Sequence, residues 1–223
     1  MKYRCLVLDH DDTVVNSTAT IHYPAFLAYL RQHRPALCDG YTLESYFEKN
    51  FHPGIVALLR DEVGLSASEM KEEEAFWAEY VRHHVPVVYP GLRELMVRFR
   101  AEGGIIAVNS HSYSTYIRRD YEQNGLPMPD RIYGWDLQPH LRKPHPYALT
   151  CLMEEYGLSP NELLMVDDSK PGFDCARAAG VDFAAAGWAF DIPSIRTFMQ
   201  VRCDYYLPTV DALETLIFSP TEP

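Results

Sequence analysis

Three short runs, near residues 6, 106 and 165, are apolar on both faces: RCLVLD at 4–9, GIIAVN at 104–109 and LLMVD at 163–167. A strand with two apolar faces cannot border water on either side. It needs helices above and below it, which is the setting of a parallel sheet in an α/β protein. Further strand-like runs lie at 131–134, 181–185 and 204–207. Helical spacing fills 90–102, 113–124, 145–156, 172–179, 192–200 and 209–217. Strand followed by helix, repeated, predicts a Rossmann-like α/β core.

One interval breaks this rhythm. A strand–helix–strand unit takes about 30 residues, yet the second core strand returns only near 104. Residues 90–102 already supply a crossover helix, so 18–88 is surplus. Ile21, Ala25, Leu27 and Leu30, then Ile55, Leu58, Leu59 and Val63, form apolar stripes at helical spacing. LSASEMKEEE reads as a helix start capped by Ser66 or Ser68, with 69–74 as a solvated face. The expected division is a core of 1–17 and 89–223 carrying a helical insert at 18–88. The tail after Ser219 is expected to fray.

The net charge of −11 comes without any basic run, which argues against a polymeric nucleic acid as partner. No segment approaches the ~20 apolar residues of a membrane helix. The first apolar run stops at Asp9, too soon for a signal peptide, so a cytoplasmic location is expected. Five cysteines, never spaced as CxxC, fit reduced thiols better than a disulfide framework or a structural zinc site.

The first strand runs straight into Asp9, His10, Asp11 and Asp12. Acids at the tip of a buried strand repel one another and are costly to desolvate, so something must offset them. In open parallel sheets, ligands bind beyond the carboxyl ends of the strands. Those ends deliver Asp9 and Asp11, Asn109-Ser110, Arg142-Lys143-Pro144 and Asp167-Asp168-Ser169. Each alone has a plain alternative: a helix cap for the acids and the serine, a solvated surface residue for the lysine. Together they fit phosphoryl transfer. A carboxylate attacks phosphorus, and a second acid exchanges protons with the leaving oxygen and then with water. A divalent cation on oxygen ligands offsets the crowded charge. A lysine and a hydroxyl hold the transferring group.

These motifs, Asp9-x-Asp11-x-Thr13, Ser110 after a strand, Lys143 before Pro144 and Asp167-Asp168 after a fourth strand, resemble the haloacid dehalogenase superfamily. The doubled acid of VDDSKPGFDCARAAGV resembles its beta-phosphoglucomutase-like branch. The resemblance implies a Mg²⁺-dependent phosphatase of small phosphorylated metabolites, with the insert as a helical cap that closes over the site. It implies Asp9 as nucleophile and metal ligand, and Asp11 as general acid/base whose main-chain carbonyl also reaches the metal. Asp168 would be a direct metal ligand, with Asp167 acting through a water. Thr13, Ser110, His111 and Lys143 fall among the substrate-binding positions.

The chain departs from that pattern at Asp12, where glycine is usual, and at Gly172, where many relatives carry an acid. Asp174 lies two residues beyond. Asn109 competes with Ser110 for the second motif, and His10 and His111 are unusual neighbours. In the insert, Asn50 and His52 fit either a substrate loop or a plain turn. A sugar-phosphate mutase of the same superfamily and a catalytically idle phosphate-binding protein are the competing readings. Dehalogenase and phosphonate-cleaving activities are disfavoured, because neither needs Asp11.

Overall fold

The computed structural model describes residues 1–219, so the expectation for the tail after Ser219 lies outside the described residues. The chain divides into two compact units. One combines Met1–Asn16 with the chain from Val87 onward, and the other is Ser17–Pro86. No helix among the described residues is long and apolar enough to cross a membrane, and all five cysteines are free.

The strands are β1 (Cys5–Leu8), β2 (Val15–Asn16), β3 (Val87–Val88), β4 (Ile105–Asn109), β5 (Arg131–Tyr133), β6 (Leu163–Asp167), β7 (Asp182–Ala186) and β8 (Tyr205–Leu207). Six of them form one parallel sheet in the order β5-β4-β1-β6-β7-β8. The chain leaves β1 for β4 and β5 on one side, then returns to β6 on the other. The order therefore reverses at β1, where such sheets open a crevice. Cys5–Leu8 and Leu163–Val166 are fully buried, as two covered faces require. Each buried Leu contributes about 1.5–3 kcal/mol, which helps offset the acids at the strand ends.

Register places those acids. Leu8 lies opposite Val108 on one side and Val166 on the other. The next residue along each strand, Asp9, Asn109 and Asp167, therefore emerges at the same level. The short antiparallel pair of β2 and β3 was not legible in the sequence. Val15 pairs with Val88 and Asn16 with Val87, so both chain crossings belong to the core unit. The junctions accordingly fall at 16/17 and 86/87, one and two residues earlier than expected.

The unit Ser17–Pro86 contains α1 (Tyr23–His33), α2 (Leu43–Phe51), the short α3 (Ile55–Ala57) and α4 (Ala67–Arg82). Phe26, Tyr29, Leu30, Tyr46, Leu58, Leu59, Val63 and Leu65 form its core. Ser66 is the α4 cap: its hydroxyl accepts from Glu69 N–H while the Glu69 carboxylate accepts from Ser66 N–H. Asn50 donates to Tyr46 O at 2.7 Å, and exposed His52 closes α2.

The 69–74 stretch is not wholly solvated. Glu73 is half-buried; burial, then the Glu73 charge, raise the pKa of the Tyr29 phenol. Burial, then the neighbouring Glu74, push its own carboxyl from 4.5 up to about 7. The folded state thus holds the Glu73 proton more tightly than the unfolded chain. The resulting stabilisation is complete below pH 4.5 and is lost as pH rises through about 7. Glu73→Gln is expected to remove a loss of roughly 1–2 kcal/mol across that window. Melting temperatures of both proteins at about pH 4.5 and about pH 8 check this: the variant should gain at the higher pH only.

The remaining helices, α5 (Leu92–Ala101), α6 (Ser114–Gln123), α7 (Tyr147–Tyr156), α8 (Lys170–Ala179), α9 (Pro193–Arg202) and α10 (Val210–Phe218), belong to the core unit. Helix α8 begins two residues before the expected 172. Ser169 caps it, its hydroxyl accepting from Gly172 N–H at 3.3 Å, and Pro171 is tolerated in the first turn.

Candidate active site

The site lies at the carboxyl ends of β1, β4 and β6. Lys143 reaches it from the segment before α7 and is almost fully buried. Its Nζ stands 2.6 Å from Asp167 Oδ2 and 2.9 Å from Asp9 Oδ1. The first contact is a hydrogen bond; the second is ionic, without hydrogen-bond alignment. Burial alone would lower the lysine's pKa. Asp167 and Asp9 outweigh it and hold the ammonium charged. Asp167 is fully buried, and its other oxygen accepts from Ser169 N–H at 2.7 Å. Burial, then Asp9, raise Asp167 to about 6 despite Lys143.

Asp168 is raised well above the ordinary carboxylate range by burial, then by Asp12, Asp167 and Asp9. Thr13 Oγ1 donates to Asp168 Oδ1 at 3.5 Å, the outer limit of a hydrogen bond. Thr13 itself is buried, and its carbonyl accepts from Trp188 Nε1 at 3.1 Å. Carboxylate oxygens of Asp9, Asp167 and Asp168 lie within 4.8 Å of one another. An oxygen-only donor set with more negative charge than one lysine balances suits a hard divalent cation such as Mg²⁺. The residues present therefore fit that metal.

Asp12 adopts a left-handed backbone with φ +57° and is buried. Aspartate tolerates this region better than most residues, so the usual glycine is replaced without loss of the turn. Gly172 is fixed by a close approach: a Cβ there would overlap the Asp167 carboxylate. An acid at this position would collide with the group it is meant to assist. Asp174 pairs instead with Lys170 at 2.5 Å.

Asn109 ends β4 with its amide donating to Cys175 Sγ at 3.6 Å, inside the core. Ser110 follows, buried, with its N–H bonded to Tyr133 O. His111 donates from Nε2 to Lys143 O at 3.1 Å. A carbonyl can only accept, so the ring carries its proton on Nε2. Burial, then the Lys143 charge, lower its pKa to about 4, which keeps the ring neutral near pH 7.

Asp11 accepts a hydrogen bond from Ser112 Oγ at 2.5 Å. Ser112 was missed in the sequence, although SHS repeats the one-residue spacing of DHD. His10 turns into the core. Its Nε2 lies 3.0 Å from Asp120 Oδ2, and both residues are buried. Arg119 Nη2 holds the other Asp120 oxygen at 2.7 Å. The structure thus brings Asp9, Asp167, Asp168 and Lys143 into one cluster, with Thr13 on Asp168, His111 on Lys143 and Asp11 on Ser112. It does not bring Asp174, Asn109 or His10 into it.

A family model described as haloacid dehalogenase-like hydrolase matches residues 6–186. Phosphoglycolate phosphatases are similar over parts of the chain. That of Aliivibrio fischeri is 28% identical over 110 residues, 49% of this chain and 48% of the relative. That of Vibrio vulnificus is 30% identical over 124 residues, 55% and 52% respectively. The chain spans about half the length of these curated relatives. A solved haloacid dehalogenase-like hydrolase from Streptococcus pneumoniae shares the fold. Its TM-score is 0.72 at 17% identity, covering 98% of this chain and 99% of that one.

Proposed function

Since the chain belongs to the haloacid dehalogenase-like hydrolase family, we propose that it is a Mg²⁺-dependent phosphatase hydrolysing a small phosphate monoester through an aspartyl phosphate on Asp9. The observation that carries this reading is the shared cluster: Asp9 lies within 4.8 Å of Asp167 and Asp168 while also touching buried Lys143. Such a cluster has a nucleophile, a cation site and a charge clamp in one place.

In this reading Asp9 attacks phosphorus and the phosphorus–oxygen bond to the alcohol breaks. Asp11 gives its proton to the departing oxygen, then takes one from the water that cleaves the aspartyl phosphate. Lys143 and the Ser110 hydroxyl hold the phosphoryl oxygens. Asp9, Asp168 and the Asp11 carbonyl would hold Mg²⁺, with Asp167 acting through a water. Asp167 suits that outer role because both of its oxygens already accept hydrogen bonds. The cation, when bound, supplies charge neutralisation and orientation of the phosphoryl group. Neutral His111, bonded to the Lys143 carbonyl, is assigned to the substrate-binding set with Thr13, and the unit Ser17–Pro86 is assigned the part of a cap. Phosphoglycolate is the first substrate to test, from the names of the relatives.

Phosphate release should be measured with Mg²⁺ over a panel of phosphorylated acids and sugars. Turnover of at least one member, lost on chelation, is expected. Isomerisation of a sugar phosphate without phosphate release would instead favour the mutase, and no turnover at all the idle binder.

A further inference from the structure

We propose that Ser112 is a positioning residue that ties the proton-transferring carboxyl to the phosphate-binding hydroxyl. This rests on the reading of Asp11 and Ser110 given above and deepens it. Ser112 lies between β4 and α6 and is 3% exposed. Its hydroxyl donates to Asp11 Oδ2 at 2.5 Å, and its N–H donates to Ser110 Oγ at 3.2 Å. One residue therefore holds two groups of the proposed reaction.

The polarity of these bonds has consequences. A serine hydroxyl has one proton, and here it goes to Asp11 Oδ2. When Asp11 is the acid, its own proton then sits on Oδ1, and the carboxyl plane is fixed. Ser110 Oγ receives its hydrogen bond from the Ser112 amide, so its own proton is turned toward another acceptor. A phosphoryl oxygen is the acceptor this chemistry supplies. The acid and the phosphate clamp are thus oriented relative to each other by a single side chain and its amide.

Ser112 is itself held. Its carbonyl accepts from Trp135 N–H at 2.8 Å. Gly134 approaches so closely that a Cβ there would lie 2.7 Å from Ser112 O and 2.7 Å from Ser114 Oγ. The end of β5 therefore braces the loop. A braced donor costs little to reorganise during reaction, which is what positioning requires.

The test separates positioning from mere packing. A good leaving group such as p-nitrophenolate needs little help from an acid, whereas an alkoxide needs much. kcat/KM covers only the steps up to the aspartyl phosphate, where Asp11 acts as acid. Wild type, Ser112→Ala and Ser112→Thr are compared on phosphate monoesters graded from nitrophenyl to alkyl. Ser112→Ala should lose about ten- to a hundredfold on alkyl esters and less than about threefold on the nitrophenyl ester. Ser112→Thr, which keeps the hydroxyl, should recover most of the alkyl activity. In an Asp11→Asn background, Ser112→Ala should add no further loss on alkyl esters.

An equal loss across the series, or none, overturns the proposal while wild-type turnover keeps the phosphatase reading intact. Absence of wild-type turnover on every ester overturns that reading and this inference with it. If Ser112→Ala does not fold, Ser112→Cys, of similar volume but a weaker donor, carries the same comparison.

Discussion

Asp9→Asn should reduce phosphate release from every monoester by at least about 10⁴-fold, because an amide cannot form the acyl phosphate and the step has no substitute nucleophile. The loss should be the same for nitrophenyl and alkyl esters, since the bond-forming atom itself is removed. Stability should change little. Asp9 is one of several carboxylates crowded against one lysine, so deleting its charge relieves repulsion while Lys143 keeps Asp167 at 2.6 Å. Steady-state rates with a melting curve of the same sample check both halves. An Asp9→Asn protein that still turns over would remove Asp9 from the reaction and with it the covalent route.

Lys143→Met should damage fold and rate together. The ammonium is buried between two buried carboxylates. Methionine fills similar volume but leaves Asp9 and Asp167 uncompensated, and breaking such a buried pair costs about 3–5 kcal/mol. Without the positive charge, Asp167 rises further above the value of about 6 that it has with Lys143 in place. Added Mg²⁺ should recover part of the melting temperature, because a cation on the same carboxylates supplies the missing charge. Activity should remain at least about a hundredfold down even in saturating Mg²⁺, since the phosphoryl oxygens lose their clamp. Melting curves with and without Mg²⁺, beside rates, separate the two effects. A variant as stable as wild type without metal would show that the lysine's charge is not what holds these acids.

Much of the core was legible. CLVL, IIAV and LLMV have no polar face, and hydrophobic periodicity is a local property that a linear chain displays openly. The Ser66–Glu69 capping box is also local, and only the choice between Ser66 and Ser68 needed coordinates. The β2–β3 pair was hidden because two-residue strands have no period, and their partners lie some 70 residues apart in sequence. Glu73 looked like one of a solvated acidic run. Its high pKa comes first from burial and then from the adjacent Glu74, and only Glu74 is visible in the sequence; the burial comes from the fold.

The same division runs through the site. Residue types and spacing alone determined which strand ends carry acids, a hydroxyl and a lysine, because strand ends follow from where apolar runs stop. Only the tertiary structure decided what those groups do to one another. It seated Lys143 between Asp9 and Asp167, gave Asp11 its donor in Ser112, and sent His10 away to Asp120. It also made Gly172 obligatory, since the reason for that glycine is a carboxylate from another segment. Charge and hydrogen bonding act over a few ångströms of space, whatever the separation along the chain, so these pairings come into being only when the sheet aligns β1, β4 and β6.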